Sequence, residues 1–532
     1  MNATASGWAP LRTQAFRRLW LAQFTSNVGT WMQTVAAQWV MTSLTGSALL
    51  LSAIPAAASI PVLLLVVPAG VLGDLVDRRL VILVSQATML IAAAALAVLA
   101  AAGSLTPWVL LGLLFVIGVG GAVSAPTWQT LQPELVPAAD RPQAIALGSV
   151  NQNLARAVGP AIGGVLLAAT SASVVFFTNA VSFLAVLGAV AVTAVAARKL
   201  TMPREHAVAA VRAGGRFVEN SPVLLALIVR SIAFVFMAGA IWALLPIVAR
   251  QRLGLGSTGY GLLLACVGVG ALAAATFGPA LKRRLAPRAI YAIACLVVAG
   301  GSALLAVTHS VALAAIALIA AGAAWITGLG LLGAAYQSQL PAWVKARAYA
   351  YYLVAFQGAN GIGALCIGTI AQASTVSTAF LVVGGALVVS AVATLPLALP
   401  AAVAGDDVTA DPLPLPELPG QADAVEDGPV IVTVEYALAP GNVDAFLAET
   451  GELRRVRRRT GATRWHLHRD LEDTDLFIES FLVGSWQEHE RQHARLERRG
   501  RDVLDEIDKL LRAGRPRTAH HAVGVRVRRR RG

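Results

Sequence analysis

Between Arg79 and Glu134 the chain carries no Lys, Arg, Asp or Glu, and the same holds for Arg156 to Arg198, Arg288 to Lys345 and Arg347 to Asp406. A helix that crosses about 30 Å of hydrocarbon needs about 20 apolar residues, so each gap has room for two crossings. Helices buried in water-soluble domains rarely come so long in such number. Only 13% of the residues are charged and 57% are hydrophobic, against about 25% charged in an ordinary soluble domain. In lipid, each backbone N–H and C=O must be satisfied within its own helix. The chain therefore reads as a polytopic, all-α membrane protein.

Turn-rich, nearly uncharged breaks at 45–47, 103–107, 170–173, 254–258, 308–310 and 372–375 alternate with charged ones. Together they divide the apolar region into twelve transmembrane helices in two six-helix bundles. The opening text, MNATASGWAPLRTQAFR, lacks the short apolar core and small-residue cleavage site of a removable signal, so the first span is expected to stay as an anchor. Seventeen Lys and Arg gather in the connections on one side, and only Arg250 and Arg252 lie on the other. The positive-inside rule then places both termini in the cytoplasm, as a multi-pass protein of a bacterial inner membrane. The expected organisation is an N-terminal bundle over 1–196, a cytoplasmic central loop over 197–222 and a C-terminal bundle over 223–400. An acidic, Pro-rich linker over 401–428, a cytoplasmic domain over 429–523 and a basic tail over 524–532 follow. The two bundles echo each other at an offset of 204 residues: Pro137 with Pro341, Arg141 with Lys345, Gly159 with Gly363, Gly164 with Gly368. Parallel six-span repeats suit a transporter whose substrate sits between the halves.

Two stretches carry motifs. In the turn after the second span, Gly70-x-Leu72-Gly73-Asp74-x-x-Asp77-Arg78-Arg79 resembles the signature of the major facilitator superfamily. Physically, the glycines let helix ends approach closely, and Asp74 can latch onto a helix N-terminus or a nearby base. The Arg usual just after the Asp is Leu75 here. In the fifth span, "ARAVGPAIGG" resembles the Gly-Pro-x-x-Gly-Gly motif of the exporter branch: Gly159, Gly163 and Gly164 clear one helix face, and Pro160 frees a carbonyl. With "FRRLWLAQFTSNVGTWMQTVAAQWV" and "QPELVPAADRPQAIALGSVNQNLARAVGPAIGG", the whole chain resembles the transmembrane secretion effector group, to which the enterobactin exporter and macrolide efflux proteins are similar. Relatives commonly read Asp-x-Pro-x-Arg-Gln at the end of span four. Here the text is Ser124-Ala-Pro126-Thr-Trp128-Gln129, so both charges are missing.

Polar residues at membrane depth are costly unless they face protein or a wet cavity. Arg156 and Arg230 are such residues, and helical spacing puts Asn27, Trp31 and Gln38 on one broad face of span one. With Gln357 and Asn360 from the second half, they are the expected substrate cavity. Proton antiporters usually bury a carboxylate in the membrane, but the acids here, Asp74, Asp77, Glu134, Asp140, Glu205 and Glu219, stand at or beyond cytoplasmic span ends. Proton coupling then runs through Asp74 or Glu134 at the cytoplasmic mouth, or protons are handled differently, or export is uncoupled; the residues leave all three open.

The tail reads as strand (430–438), helix, two strands, one long helix from Ser485 and a last strand, the β-α-β-β-α-β order of a ferredoxin-like α+β domain. It resembles the dimeric domain of antibiotic-biosynthesis monooxygenases, which implies pairing with a second copy; a plain solubilising or regulatory domain is the alternative. His466, His468, His489 and His493 are read as packing or surface histidines rather than metal or haem ligands, so no cofactor, metal or catalytic residue is expected. The basic runs at 454–459 and 526–531 lie beneath an anionic leaflet, which favours lipid over nucleic acid. The expected function is export of a small hydrophobic or amphipathic compound, such as a siderophore, antibiotic or secondary metabolite, by alternating access. An importer or uncoupled facilitator of the same fold is the alternative.

Overall fold

A computed structural model describes residues 8–193, 207–341, 343–394, 396, 399, 411, 413 and 428–524. They fall into two compact units. The first takes most of the membrane region, 1–203, 228–333 and 352–399; the second takes 204–227, 334–351 and 400–532.

In the first unit, α1 (Gln14–Leu44), α2 (Ala48–Leu75), α3 (Arg78–Ala101), α4 (Pro107–Glu134), α5 (Arg141–Ala169) and α6 (Ala172–Val192) follow one another through short turns. After α7 (Ala207–Glu219), which belongs to the second unit, come α8 (Pro222–Ala238) and α9 (Ala240–Ile247), which continue through a π-helical turn at Val248–Arg252. Then come α10 (Ser257–Arg284), α11 (Pro287–Val307), α12 (Val311–Ser338), α13 (Lys345–Ala373) and α14 (Val376–Thr394). Among the described residues, 10 spans are long and apolar enough to cross a membrane, with Pro222–Arg252 as one. The long helices α1 and α5 are not among them. Their polar residues explain this: Gln33 and Asn179 pair at 2.7 Å, and Asn151 bonds the Trp20 carbonyl at 2.9 Å. These groups are spent on helix–helix contacts rather than on lipid, so hydropathy alone under-reads both helices.

Small residues set how closely the helices cross. Gly270 of α10 lies directly against the Ile319 carbonyl of α12, and Gly322 of α12 against that of Val267. Gly363 of α13 sits where a Cβ would fall 2.5 Å from the Phe236 carbonyl of α8. Without a hydrophobic driving force between helices in lipid, such contacts supply dispersion and packing. Of the three cysteines, Cys295 is buried, Cys266 half-buried and Cys366 exposed on α13.

The second unit holds α7, the first turn of α8, the α12–α13 connection and the tail. Helix α7 falls inside the stretch expected to be a plain loop. Its Ala213, Phe217 and Val218 are buried, and Phe217 meets Trp343 edge-on at 5.7 Å. In the tail, β1 (Val430–Ala437), α15 (Val443–Thr460), β2 (Thr463–Arg469), β3 (Leu476–Val483), α16 (Trp486–Ala494), α17 (Arg498–Asp508) and β4 (Thr518–Val523) build one antiparallel sheet, ordered β2-β3-β1-β4. Val430 faces Val483 on one side and Val523 on the other. The inward residues Val430, Val432, Val434 and Tyr436 pack on Phe446, Leu453, Leu504 and Ile507 of α15 and α17. The long helix expected from Ser485 is two helices. Leu496 turns into the core between them, and the chain restarts with Glu497 as N-cap. Of the linker, Asp411 and Leu413 are described: the Asp411 N–H donates to the Leu496 carbonyl at 2.8 Å, and Leu413 packs against the tail core. The rest of 401–427, and the basic run at 526–531, lie outside the described residues.

A carboxylate lies inside the tail core. Glu479, fully buried on β3, accepts from Tyr436 Oη at 2.7 Å, Trp465 Nε1 at 2.6 Å and Arg457 Nε at 3.1 Å. Removing one member of a buried ion pair leaves the other uncompensated, at about 3–5 kcal/mol. Glu479→Ala is therefore expected to lower the urea midpoint for proteolytic cleavage within 428–524 of the full chain. An unchanged midpoint would show that Arg457 finds water instead.

Candidate functional site

The first and second sets of long helices meet along a seam centred on α5. Each small residue of the fifth-span motif faces a neighbouring helix. A Cβ on Gly159 would fall 2.6 Å from Trp31 Cβ, and one on Gly163 would fall 2.7 Å from Met32 Cα, both on α1. One on Gly164 would fall 2.8 Å from Gly261 Cα of α10, and one on Gly261 would fall 2.8 Å from the Pro160 carbonyl. Helix α5 thus lies flat on α1 with one face and on α10 with another, and no larger residue fits at these positions.

The seam is tied by polar groups toward the end that carries the 45–47 and 254–256 turns. Gln38 Nε2 donates to the Trp242 carbonyl at 3.0 Å, and its Oε1 accepts from Tyr260 Oη. Arg250, on the π-helical turn, donates to Thr42 Oγ1 at 2.9 Å, and its neighbour Arg252 bonds the Leu305 carbonyl at 2.6 Å and Ser377 Oγ. The Ala48 N–H donates to Gln372 Oε1 at 2.8 Å, and Asn360 Nδ2 to Ser59 Oγ at 2.8 Å. Every partner on α1 and α2 lies in the half of its helix nearer this end.

At mid-helix depth the seam becomes aromatic and cationic. The Arg156 guanidinium stands 5.5 Å from the centre of the Trp31 ring. Trp31 neighbours Trp242 at 6.0 Å, Trp242 meets Trp325 edge-on at 6.2 Å, and Trp325 leads to Phe234 at 6.0 Å and on to Tyr291 at 6.2 Å. Side chains from α1, α5, α8, α9, α11 and α12 are thereby strung together across both halves. Arg156 Nε is buried and makes no hydrogen bond. A buried donor left unsatisfied is costly, and the Trp31 ring face offsets part of that cost through cation–π attraction.

Of the residues expected to line a cavity, Trp31 and Arg156 come together here, both half-buried. Gln38 is buried within the polar tie. Asn27 bonds Asn151 Oδ1 at 2.8 Å, Asn360 is held by Ser59, and Gln357 is half-buried on α13. Arg230 is buried on α8, where its carbonyl accepts from Tyr291 Oη at 3.2 Å. Trp242 and Tyr260 are central to the seam and were not singled out by sequence. The π-helical turn just beyond Trp242, a feature common near functional sites, has no sequence signature.

The loop motif is placed at the opposite helix ends. Asp77 caps α3 by accepting the Arg79 N–H at 2.8 Å. Arg78 pairs with Glu134 at 2.7 Å, and Arg79 donates to the Ala191 carbonyl at the end of α6 at 2.6 Å. These bonds tie α3, α4 and α6 of the first half together. Gly70, Gly73 and Asp74 lie in the last turns of α2; the Asp74 latch concerns a side chain outside the described residues. In the tail, His489 is buried with the rings of His493 and His521 at 4.6 and 4.8 Å. Burial and the neighbouring His493 push the His489 imidazole down to about 4. Among the described residues no group of three His, Cys, Asp or Glu is arranged to hold a metal ion.

A model of the transmembrane secretion effector family matches residues 5–529. The chain belongs to this family. Its relatives include the staphyloferrin A transporter of Staphylococcus aureus, 28% identical over 162 residues, which are 30% of this chain and 41% of that one. Another is the uncharacterized MFS-type transporter YfiS of Bacillus subtilis, 29% identical over 211 residues, 38% of this chain and 49% of that one. The matched stretches span about half the length of these curated relatives. Solved structures share the fold at low identity. A POT family transporter in complex with 5-aminolevulinic acid has TM-score 0.60 at 11% identity, covering 73% of this chain and 96% of that one. The nucleoside transporter NupG has 0.57 at 12%, covering 72% and 98%. An inward-facing, unoccupied bacterial homolog to the human lysosomal transporter Spinster has 0.57 at 15%, covering 73% and 95%. The chain is a multi-pass membrane protein of this family, with 10 described spans long and apolar enough to cross a bilayer.

Proposed function

We propose that this protein exports a small amphipathic compound bearing an anionic or acceptor-rich group, of the siderophore, antibiotic or secondary-metabolite kind, from a bacterial cytoplasm by alternating access. In this reading twelve helices span the inner membrane, α1 and α5 included, both termini are cytoplasmic, and the tail is a ferredoxin-like domain that pairs with a second copy. The observation that carries the reading is Arg156, a guanidinium with a buried, unbonded Nε, stacked over Trp31 at one end of an aromatic seam that spans both halves. Rings accommodate an apolar body, and the guanidinium supplies charge-assisted bonds to a carboxylate or similar group. The name of the Staphylococcus aureus relative adds support for a siderophore-like cargo. The tied end of the seam carries Arg250 and Arg252, the side poor in basic residues, which supports a state closed to the outside. In the membrane helices the described acids, Asp77, Glu134 and Asp140, stand at helix ends, so any proton coupling is assigned to Glu134, beside Arg78, or to Asp74.

Metabolite profiling of medium from cells with and without the protein identifies the cargo. Uptake of that compound into everted vesicles, with and without a proton gradient, then tests direction and coupling. Accumulation in everted vesicles is the expected result. Accumulation only in right-side-out vesicles would make the protein an importer.

A further inference from the structure

Within the second unit, a cavity of about 280 Å³ opens between the end of α7, the first turn of α8, the end of α12 and the tail helices α15 and α17. The wall from α7 and the start of α8 is mostly apolar, Phe217, Pro222, Val223 and Leu224 with Ser221 among them. The tail side presents three guanidinium groups, Arg455, Arg459 and Arg499, with Glu452 and Glu497. Glu452 is engaged by Arg455 at 2.9 Å and Arg459 at 3.7 Å, and Glu497 is the other carboxylate, so the three guanidiniums leave the lining with a positive balance. From the end of α12, Gln339 joins the lining, and its Nε2 is buried without a hydrogen-bond partner. A buried amide donor left unsatisfied costs about 1–3 kcal/mol, so this donor and the guanidiniums together ask for an acceptor-rich guest.

We propose that this cavity is a binding site for an amphiphile with a phosphate or carboxylate head, its head held by Arg455, Arg459, Arg499 and Gln339 and its tail laid against Phe217, Val223 and Leu224. The site shares no residue with the Arg156 seam and does not depend on the direction of transport. Its volume falls just below the usual range for small-molecule pockets of about 300–1,000 Å³, which suits a head group and a few carbons. The pattern of planar donor forks opposite an apolar wall matches such a guest better than a bare ion, which has no use for the wall. Helices α8 and α12 continue from this unit into the membrane unit, so a guest here grips the ends of two transport helices.

The site also has a built-in pH response. Burial pushes the Glu497 carboxyl up to about 7, against the pull of Arg459 and Arg499. The charged lining groups are Glu452, Arg455 and Arg459 of α15 and Glu497 and Arg499 at the start of α17; the lining from α7, α8 and α12 is uncharged. Below that value Glu497 is neutral and the pocket most positive. As pH rises through it, a negative charge appears beside the guest and repels it.

The test uses octyl phosphate and inorganic phosphate with the purified full chain in phosphatidylcholine nanodiscs. Octyl phosphate is expected to raise the melting temperature at concentrations where inorganic phosphate does nothing. Arg455→Ala with Arg499→Ala should weaken its binding at least tenfold. Because the probe's own second proton also leaves between pH 6 and pH 8, the Glu497 effect is read as a difference: the ratio of binding at pH 6 to binding at pH 8 should be larger in wild type than in Glu497→Gln, which still binds. Nanodiscs containing phosphatidic acid distinguish the source: loss of the octyl phosphate response means that a membrane lipid fills the site, and its persistence means a soluble amphiphile. Either supports the site. Equal response in wild type and the double Arg variant, or none in wild type, overturns it.

Discussion

Replacing Arg156 by Met is expected to cut transport at sub-saturating substrate by about ten- to a hundredfold. The estimate follows from the chemistry: a hydrogen bond to a charged group contributes about 1.5–3 kcal/mol, and each 1.4 kcal/mol is tenfold in affinity. The same change should leave thermal stability of the purified protein equal or higher. Arg156 Nε has no partner in the resting seam, so removing the charge relieves desolvation and leaves no other group orphaned. Arg156→Lys keeps the charge but loses the planar fork and its stacking on Trp31, and should fall between wild type and Met. The split between lost transport and retained stability separates a substrate-binding role from a structural one. Should the Met variant export at the wild-type rate, the aromatic seam is packing and the cargo passes elsewhere.

How far these features can be read from sequence depends on whether they are local. Charge-free gaps and short turns mark out the helices, because a bilayer crossing leaves a long one-dimensional record. The α5 glycines are similarly legible: a small-residue stripe predicts close packing, and here it meets α1 and α10. Which face of a helix looks at which neighbour is not local. Gln38 is tied to Trp242 and Tyr260, 204 and 222 residues away, and nothing near Gln38 announces them. Its amide looks like a cavity wall in sequence and is spent on a tie in the structure. Within the tail, strand alternation is enough to place all four strands. The break between α16 and α17 is not marked by Gly or Pro; it follows from Leu496 reaching the core, a tertiary demand. Helix α7 was legible in principle, since Ala213 and Phe217 are spaced one helical turn apart, but its polar flanks and position between the bundles read as a loop.

The second large effect is expected at the contact of α5 with α10. Gly164→Leu places a Cβ 2.8 Å from Gly261 Cα and 2.9 Å from the Ser257 carbonyl. Both are backbone atoms, so no side-chain rotation makes room and the helices must separate. Overpacking of this sort costs about 1–3 kcal/mol, charged only to the state in which α5 and α10 touch. A coupling of that size moves a two-state equilibrium by about 5- to 150-fold, enough to trap the transporter with this end open. Transport should collapse while the protein still reaches the membrane. Spin labels at Ser171 and Ser374, both exposed, with the native cysteines replaced by Ala, should report a longer distance in Gly164→Leu than in the parent. Gly188→Leu makes the control: a Cβ there meets nothing within 4 Å, so neither distance nor transport should change. An unaltered distance distribution in Gly164→Leu, with transport intact, would mean that α5 and α10 do not form the closing contact.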